Sequence, residues 1–373
     1  MNSLYIHIPF CRKKCIYCDF YSVAYEQNLA ADYTNVLREQ IKQLDGSFST
    51  IYIGGGTPTV LGREALSNLL GGLKRFIGPE VEFTVEANPE SLSKDILELF
   101  LDSGVNRLSL GIQSFDNDKL KKLGRIHNGA SGQEAVYLAQ DAGFKNISID
   151  LIFGVWNETP EDWKQELRKA AALPIQHISG YSLTYEKDTP LFELAQEKKI
   201  TPLEDEIAAQ MYEETIDFLQ KEGFNQYEVS NFAKEGYACR HNQNYWENNS
   251  YIGLGASAVS YVDGIRKENV SDAGEYIARY KKEESLEVFQ EELSPIEKAK
   301  ETAAVKIRTN EGIDFNWFKQ KTGFDFGELQ EGALSRLTDK GLISYNMRCA
   351  KAPRVHLTPK GFLFADTVSG ELL

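Results

Sequence analysis

Six short apolar segments, most of them followed by a polar loop and a helical pattern, constrain the fold of this 373-residue chain more than any other feature. Strands that alternate with helices are typical of βαβ units and a parallel sheet, which is an α/β fold. The alternation shows no reversal, and this favours an incomplete (β/α) barrel over a doubly wound sheet. The predicted strands cover residues 4–8, 50–53, 81–86, 106–113, 146–153 and 177–184.

Three cysteines lie within eight positions in the loop that follows the first predicted strand. Cys11, Cys15 and Cys18 can supply three thiolates, and an iron–sulfur cluster held by three thiolates keeps one iron open to a small molecule. A structural zinc site completed by His7 or Asp19 is an alternative, although zinc knots usually pair two C-x2-C knuckles. A set of incidental buried thiols is the other alternative.

Polar residues recur at or just beyond the C-terminal ends of the predicted strands. They are Cys11, the glycines of residues 54–56, Glu86, Gln113 and Asp150. Each of them, taken alone, could cap a helix or satisfy strand backbone instead. Because barrel enzymes build their sites at this end of the strands, the shared position predicts a functional site there.

The charge balance bears on the partners that the chain can bind. With 41 basic and 55 acidic residues the net charge is -14, which lacks the basic footprint of a nucleic-acid-binding protein. We therefore expect no nucleic-acid partner. An anionic ligand, such as a tetrapyrrole with its propionates, would need locally placed Arg or Lys to offset the field of the whole chain.

The cysteines and the apolar segments bear on location. Three of the five cysteines are clustered, and Cys239 and Cys349 stand far apart, which fits a reducing compartment better than a disulfide framework. The N-terminus lacks a charged leader pattern, and no segment offers about 18 uninterrupted apolar residues. A cytoplasmic location is therefore expected.

A change of composition suggests the domain organisation. Residues 270–294 are rich in Glu and Lys with few large apolar residues, which predicts a connection between domains. The helical and strand-like patterns of residues 295–373 predict a small α+β winged-helix-like domain that packs or binds a partner. We predict a domain over 1–270 that carries the ligand sites, and a connector with the C-terminal domain over 271–373.

An ordered set of motifs gives the chain a family resemblance. The motifs are Tyr5 ahead of the cysteine triplet, Tyr17 within it, Gly54-Gly-Gly-Thr-Pro-Thr59, Glu86-Ala-Asn-Pro-Glu90, Gly111-Ile-Gln-Ser-Phe115, Arg125 and Ile149-Asp150-Leu-Ile152. In this order they resemble the oxygen-independent coproporphyrinogen III oxidase family of radical S-adenosylmethionine (SAM) proteins over nearly the whole chain. Each motif is weak alone, but the ordered set is specific.

This resemblance implies a [4Fe–4S] cluster bound by Cys11, Cys15 and Cys18, with SAM on the open iron. Glycines let the main chain approach a ligand closely, carboxylates accept from hydroxyl or ammonium groups, and Arg pairs with a carboxylate. The SAM-binding residues that it implies are Gly55, Gly56, Thr57, Glu86, Gln113, Arg125 and Asp150, with Tyr5 and Tyr17 packed beside the cluster and SAM. No catalytic residue is assigned.

Two features point away from the oxidases and towards the heme-chaperone branch of the family. The oxidases carry a fourth cysteine two positions after the third, where this chain has Phe20, and a long N-terminal extension ahead of the cluster. The chaperone branch carries an H-N-x-x-Y-W motif, present here as His241-Asn242-Gln-Asn-Tyr245-Trp246.

The resemblance implies His241 as an axial ligand of heme iron, with the two aromatic residues against the macrocycle and Arg240 offsetting a propionate. Residue chemistry alone leaves an alternative, a loop over 233–250 in which His241 caps a turn and the aromatic residues are core. Cys239 is an alternative axial thiolate, although a buried structural thiol suits it better.

The function implied is that of a heme chaperone that binds heme and a SAM-ligated cluster and transfers heme to an acceptor haemoprotein. An electron donor for the cluster is a second implied partner, and dimerisation is left open. The alternatives are an oxygen-independent oxidase of porphyrin biosynthesis and another radical SAM enzyme. The chain departs from the family after Asp150, where Trp156 and Glu158 replace Pro and Gln.

Overall fold

The computed structural model describes residues 2–345 and 353–373, and Cys349 lies outside this part of the chain. The strands are β1 Asn2–Ile8, β2 Phe10–Cys11, β3 Val23–Ala24, β4 Phe48–Gly55, β5 Glu82–Ala87, β6 Arg107–Gln113, β7 Ile147–Phe153, β8 His177–Ser182, β9 Asn225–Glu228, β10 Asn231–Ala233, β11 Tyr251–Leu254, β12 Val259–Val262, β13 Ile265–Asn269, β14 Glu287–Glu292, β15 Ile313–Asp314, β16 Ile343–Tyr345 and β17 Arg354–Leu357.

The α-helices are α1 Gln27–Gln43, α2 Gly62–Leu73, α3 Lys94–Asp102, α4 Asn117–Lys122, α5 Gly129–Ala142, α6 Pro160–Ala171, α7 Pro190–Gln196, α8 Asp205–Lys221, α9 Arg240–Trp246, α10 Ala273–Lys281, α11 Pro295–Lys306, α12 Phe315–Thr322, α13 Phe326–Leu329, α14 Glu331–Asp339, α15 Pro359–Leu363 and α16 Ala365–Leu372. Short 3-10 helices occur at Pro58–Leu61, Lys74–Phe76 and Pro89–Ser91.

Within the described residues, twelve strands form one sheet in the order β14-β13-β12-β11-β1-β4-β5-β6-β7-β8-β10-β9. The six predicted strands are β1 and β4 to β8, and they pair in parallel. β11 adds a parallel strand beside β1, whereas β10 runs antiparallel to β8. The end strands of this order, β14 and β9, do not pair with each other, so the predicted incomplete barrel is confirmed.

Side chains alternate between two faces along the six parallel strands. One face is apolar and belongs to the main hydrophobic core; on β1 it carries Leu4, Ile6 and Ile8, all fully buried. The other face is polar and lines the interior of the open barrel. Its residues include Ser3, Tyr5, His7, Thr50, Tyr52, Glu82, Thr84, Glu86, Arg107, Ser109, Ser148, Asp150, His177 and Ser179. This interior differs from the branched apolar filling that is usual in closed barrels.

The two ends of the parallel strands define the two regions that matter for function. The rim is the end formed by residues 54–57, Asn88 and Gln113, where the strands finish. The floor is the opposite end, formed by Thr50 and Glu82 near the strand starts.

Residues 233–250, predicted as a loop, contain the helix α9, so that prediction was wrong. The carboxylate of Glu82 accepts the backbone N–H groups of Arg240 and His241, each at 3.0 Å. This carboxylate satisfies N–H groups that the first turn of a helix leaves unpaired. Local sequence could not predict the helix, because the partner lies 158 residues away along the chain.

Residues 270–294, predicted as a connection, contain α10 and β14. α10 buries Ala273, Tyr276 and Ile277 on one face, and these residues join the main core. A domain boundary after residue 270 is not tested by this arrangement and stays a prediction.

The C-terminal part has its own hydrophobic core, drawn from residues between 299 and 372. Its three strands pair in the order β15-β17-β16, and helices α11 to α14 precede β17 in the chain. This agrees with the small α+β domain predicted there. Helices α15 and α16, which follow β17, were not predicted.

Candidate functional site

The cysteine loop leaves the barrel at the rim, just after β1. β2 ends at Cys11, and the loop turns where the N–H of Cys18 donates to the carbonyl of Cys15 at 3.3 Å. All three thiols are partly exposed. Burial, together with the neighbouring Cys15 and Cys11, raises the pKa of Cys18 to about 11, so the three thiols lie near one another.

A glycine loop at the end of β4 lies against the cysteine loop. Gly55 has φ +111°, in the left-handed region, and its N–H donates to Glu86 Oε2 at 3.1 Å. The N–H of Gly56 donates to the carbonyl of Ile8 at 2.8 Å, and a Cβ on Gly56 would lie 2.7 Å from the carbonyl oxygen of Phe10. Because no side chain fits at Gly56, the glycine loop can lie directly on the segment before Cys11.

A chain of side-chain contacts connects these two loops. Thr57 Oγ1 lies 3.7 Å from Cys11 Sγ and accepts from Asn88 Nδ2 at 2.7 Å. Arg125 donates to Asn88 Oδ1 at 2.7 Å and to Cys15 Sγ at 3.4 Å. Asn88 was not among the predicted site residues. The signal that could have found it is its position two residues after Glu86, within a motif already singled out.

Arg125 provides a fixed positive charge at the rim. Burial opposes the charged form, but the neighbouring Cys15 and Tyr17 raise the pKa of Arg125 above its ordinary value. Tyr17 packs on a small apolar cluster that includes Leu123 and Val155. The structure therefore brings the predicted residue Arg125 to the cysteine loop, which contains Tyr17.

Glu86 and Asp150 are carboxyl groups of the barrel interior below the rim. Burial raises the pKa of Glu86 to about 7, although the hydroxyl of Tyr52, which donates to Glu86 Oε1 at 2.7 Å, lowers it. Burial also raises the pKa of Asp150, whose Oδ1 accepts from Ser109 at 3.4 Å. Gln113 ends β6 with φ +65°, a left-handed conformation that is uncommon for a side chain of this size. Burial thus disfavours the charged form of both carboxyl groups.

Tyr5 lies in the interior two positions before His7 on β1. Its hydroxyl lies 2.8 Å from His7 Nδ1, and His7 Nε2 lies 3.0 Å from the carbonyl of Tyr21. A carbonyl can only accept, so His7 Nε2 carries the proton and Nδ1 accepts from Tyr5. This contact holds Tyr21, which follows the cysteine loop, to β1.

The two residues that depart from the family motif bind α4 and its neighbourhood. The Glu158 carboxylate is buried, pairs with Lys119 and accepts the N–H of Val155 at 3.0 Å. The carbonyl of Trp156 accepts from Lys122 at 3.0 Å. These residues stabilise the loop itself.

His241 lies on the floor and is 1% exposed. Its Nδ1 lies 2.7 Å from Thr50 Oγ1, and its Nε2 lies 3.0 Å from the hydroxyl of Tyr245. Thr50 donates its own proton to Ser3 Oγ, so it accepts from His241 Nδ1–H, and Nε2 then accepts from Tyr245. Burial, with the nearby charge of Arg107, lowers the pKa of His241 to about 3, so the imidazole is neutral.

A cleft of about 600 Å³, which we call the floor cleft, opens next to this histidine, between the sheet and α11. Three residues of the H-N-x-x-Y-W motif line it, namely Asn242, Tyr245 and Trp246. The other aromatic side chains of its wall are Tyr181, Tyr251 and Tyr261. The cleft combines flat apolar walls with a neutral imidazole directly behind Tyr245.

The cations of this cleft are Arg266 and Arg308. Arg240, expected to offset a propionate, is exposed instead and donates to the carbonyl of Glu80 at 2.7 Å. Arg240 extends outward because its own N–H is held by Glu82 at the start of α9. Sequence reasoning missed both cleft arginines, since neither lies in a motif.

Comparison with known proteins shows which class of protein has this fold and this cysteine loop. Residues 5–170 match the radical SAM superfamily, and residues 293–364 match the HemN C-terminal domain. The structure of coproporphyrinogen III oxidase (HemN) from Escherichia coli superposes with a TM-score of 0.84 at 22% identity, over 99% of this chain and 89% of that one. The chain is thus a radical SAM protein, which decides between the cluster and the zinc alternative.

Relatives of nearly full length define the family more closely. Heme chaperone HemW of Bacillus subtilis is 36% identical over 100% of this chain and 99% of its own length. Heme chaperone HemW of Lactococcus lactis is 36% identical over 100% and 97%, and that of Escherichia coli is 38% identical over 70% and 71%. The chain belongs to the HemW family.

Membership in the radical SAM superfamily implies a [4Fe–4S] cluster and SAM. Across residues 2–345 and 353–373, no three His, Cys, Asp or Glu side chains converge tightly enough to hold a single metal ion. A cubane cluster binds each thiolate through a different iron, so it requires thiols that lie near one another rather than at one point. The cysteine loop fits that requirement. In the same described residues no helix is long and apolar enough to span a bilayer.

Proposed function

We propose that this protein is a heme chaperone that binds heme in the floor cleft, holds a SAM-ligated [4Fe–4S] cluster at the rim, and transfers heme to an acceptor haemoprotein. The observation that carries the proposal is the full-length similarity to heme chaperone HemW of Bacillus subtilis. The aromatic cleft lined by Tyr245 and Trp246 supports it.

The rim residues have distinct roles in this proposal. Cys11, Cys15 and Cys18 would hold three irons of the cluster and leave the fourth open to SAM, where the cluster would supply one-electron chemistry. The glycine loop at Gly55 and Gly56, with Thr57, receives the amino group and backbone side of SAM. The remaining contacts to SAM come from Glu86, Gln113, Arg125 and Asp150, with Tyr5 and Tyr17 beside it. An electron donor for the cluster is required as a partner.

On the floor, His241 would be the axial ligand of heme iron. In the hydrogen-bond network His241 carries its proton on Nδ1, so the lone pair of Nε2 points to Tyr245, which lines the cleft. Rotation of Tyr245 away from Nε2 would free this lone pair for heme iron, for which histidine is a common axial ligand. Because the pKa of His241 is lowered, no proton competes with iron at neutral pH.

The test is an anaerobic titration of heme into the cluster-reconstituted protein, followed through the Soret band. Wild type should bind one heme per chain, and His241→Ala should bind weakly or with altered ligation. Tyr245→Phe should keep the histidine ligation, because it removes the hydroxyl that covers Nε2.

The chain offers a matched control in His177. This histidine is also fully buried, with Ser148 Oγ 2.7 Å from Nδ1 and the Tyr227 hydroxyl 2.9 Å from Nε2. His177→Ala should therefore lose comparable hydrogen bonds but keep the wild-type Soret spectrum.

Three outcomes would contradict the proposal. If Tyr245→Phe loses the ligation and His241→Ala keeps it, Tyr245 is the ligand instead. If His177→Ala changes the spectrum as His241→Ala does, the effect is structural. If wild type binds no heme but releases porphyrin product from coproporphyrinogen III, the oxidase alternative takes its place.

A further inference from the structure

Two arginines line the floor cleft, and they carry an inference that rests on the proposed function. We infer that Arg266 and Arg308 recognise the two propionate carboxylates of heme and so orient it in the cleft. Arg266 lies on β13, and Arg308 lies two residues beyond the end of α11. They come from different parts of the chain and meet at one cleft.

Each guanidinium borders an aromatic ring of the cleft. Arg308 Cζ lies 5.5 Å from the ring centroid of Trp246, and Arg266 Cζ lies 5.4 Å from that of Tyr261. A macrocycle that packs on these rings would carry its carboxylates towards the same two cations.

The two arginines line the same cleft, and this suits a ligand with two carboxylates. Arg266 is ion-paired with Glu301 on α11. Arg308 lies two residues beyond the end of the same helix and lines the same cleft.

Each arginine has an ion-pair partner that a ligand carboxylate can replace. Arg308 Nε is buried without a hydrogen-bond partner among the described residues. Its ion-pair partner Asp366 has a side chain that is 93% exposed, so an incoming carboxylate can replace it at little cost. Arg266 pairs with Glu291 at 2.7 Å, and that carboxylate is also partly exposed.

Unsatisfied polar atoms concentrate on the wall of this cleft. Besides Arg308 Nε, the buried atoms Trp246 Nε1, Tyr261 Oη and Asn231 Oδ1 have no partner within the described part of the chain. Buried polar groups are normally hydrogen-bonded, so this concentration indicates a place for a ligand with polar ends.

The charge of the whole chain makes the two arginines necessary. At a net charge of -14, the protein repels a dianionic ligand unless cations lie at the binding site. Arg240 does not line the cleft, because its guanidinium is bound to the carbonyl of Glu80. It therefore serves as a control cation outside the site.

The experiment compares heme with its dimethyl ester, which keeps the iron and the macrocycle but lacks both carboxylates. Each is titrated into wild type, Arg266→Gln, Arg308→Gln and the control Arg240→Gln. Wild type should bind heme about 10-fold to 100-fold more tightly than the ester, as expected for charged hydrogen bonds. Each cleft variant should lose about tenfold of this preference, and Arg240→Gln should keep it.

Affinity for the ester provides the folding control, since it should be the same in all four proteins. If both cleft variants keep the wild-type preference for the diacid, the inference is wrong. If wild type binds heme and its ester equally, the heme site stands and the propionate assignment falls. If wild type binds neither, the proposed heme site itself fails, and this inference with it.

Discussion

The rim and the floor belong to one barrel, but their predicted ligating side chains differ in accessibility. At the rim, the thiols of Cys11, Cys15 and Cys18 are all partly exposed, and Arg125 lies between Asn88 and Cys15. On the floor, His241 has both ring nitrogens hydrogen-bonded within the protein. The rim thiols are thus accessible to a ligand, whereas a floor ligand must first break an internal hydrogen bond of His241.

The largest expected effect is loss of the cluster at the rim with no change in heme binding on the floor. Cys15→Ala should abolish the cluster, measured as bound iron and sulfide, because a thiol ligand is lost. Heme binding on the floor should remain at wild-type affinity, since the two sites lie at opposite ends of the strands. Cys239→Ala is the matched control, because this thiol is fully buried on the floor side and should leave the iron content unchanged. Loss of heme binding in Cys15→Ala would show that the floor site depends on the rim site.

Substitution of Glu82 tests whether the structure of the floor depends on one buried carboxylate. It accepts from the N–H groups of Arg240 and His241 and from Cys239 Sγ. Glu82→Ala leaves these donors unsatisfied and should lower the free energy of unfolding by about 3 kcal/mol, measured in urea.

Heme affinity should fall with that loss of stability, while the cluster content of Glu82→Ala should not change. Glu80→Ala, at an exposed position nearby, is the control and should be neutral. A heme affinity that survives in Glu82→Ala would show that α9 does not need this cap.

The pH dependence of stability should have opposite signs at the two ends. Glu86 has its pKa raised from 4.5 to about 7, so its contribution to stability is present below pH 4.5 and is lost as the pH rises to 7. His241 has its pKa lowered from 6.5 to about 3, so its contribution is present above pH 6.5 and is lost as the pH falls.

The variants Glu86→Gln and His241→Gln should separate these contributions, because the two windows overlap in wild type. Relative to wild type, Glu86→Gln should gain stability as the pH rises, and His241→Gln should gain it as the pH falls. Each difference should approach about 1.4 kcal/mol per pH unit in unfolding titrations. Differences of the same sign would contradict the assignment.

The smallest expected effect concerns Tyr52, which lies between the two regions. Its hydroxyl donates to Glu86 Oε1 at 2.7 Å, and its ring lies 5.0 Å from that of His241. Tyr52→Phe keeps the ring and removes one hydrogen bond, so it should lower the free energy of unfolding by about 1 kcal/mol and weaken SAM binding, measured by calorimetry. Heme affinity should be unchanged. A change in heme affinity would show that the two ends are coupled through this ring.

The rim was largely predictable from sequence because its residues follow the strands directly. The triplet at Cys11, the glycines at 54–56 and the carboxylate Glu86 each lie at or near a strand end that local patterns locate, whereas Asp150 lies in the middle of β7. Parallel strands bring such ends together whatever the rest of the chain does. Asn88 was missed only because its role depends on contacts to both Thr57 and Arg125.

The floor was not predictable in the same way. His241 was predicted from a motif, but its partner Thr50 lies 191 residues earlier in the chain. Whether a histidine faces solvent, a ligand or a threonine is decided by such distant contacts. Its assignment as a heme ligand stays a prediction.

The sequence by itself determined the open α/β barrel, the position of the cysteine loop and the polar rim, because these follow from local periodicity and from strand ends. Only the tertiary structure decided that α9 forms, that Glu82 holds it, and that Arg266 and Arg308 reach one aromatic cleft. Local hydrogen bonding and periodicity act between near neighbours, whereas burial and ion pairing act between residues that the chain brings together only when it folds.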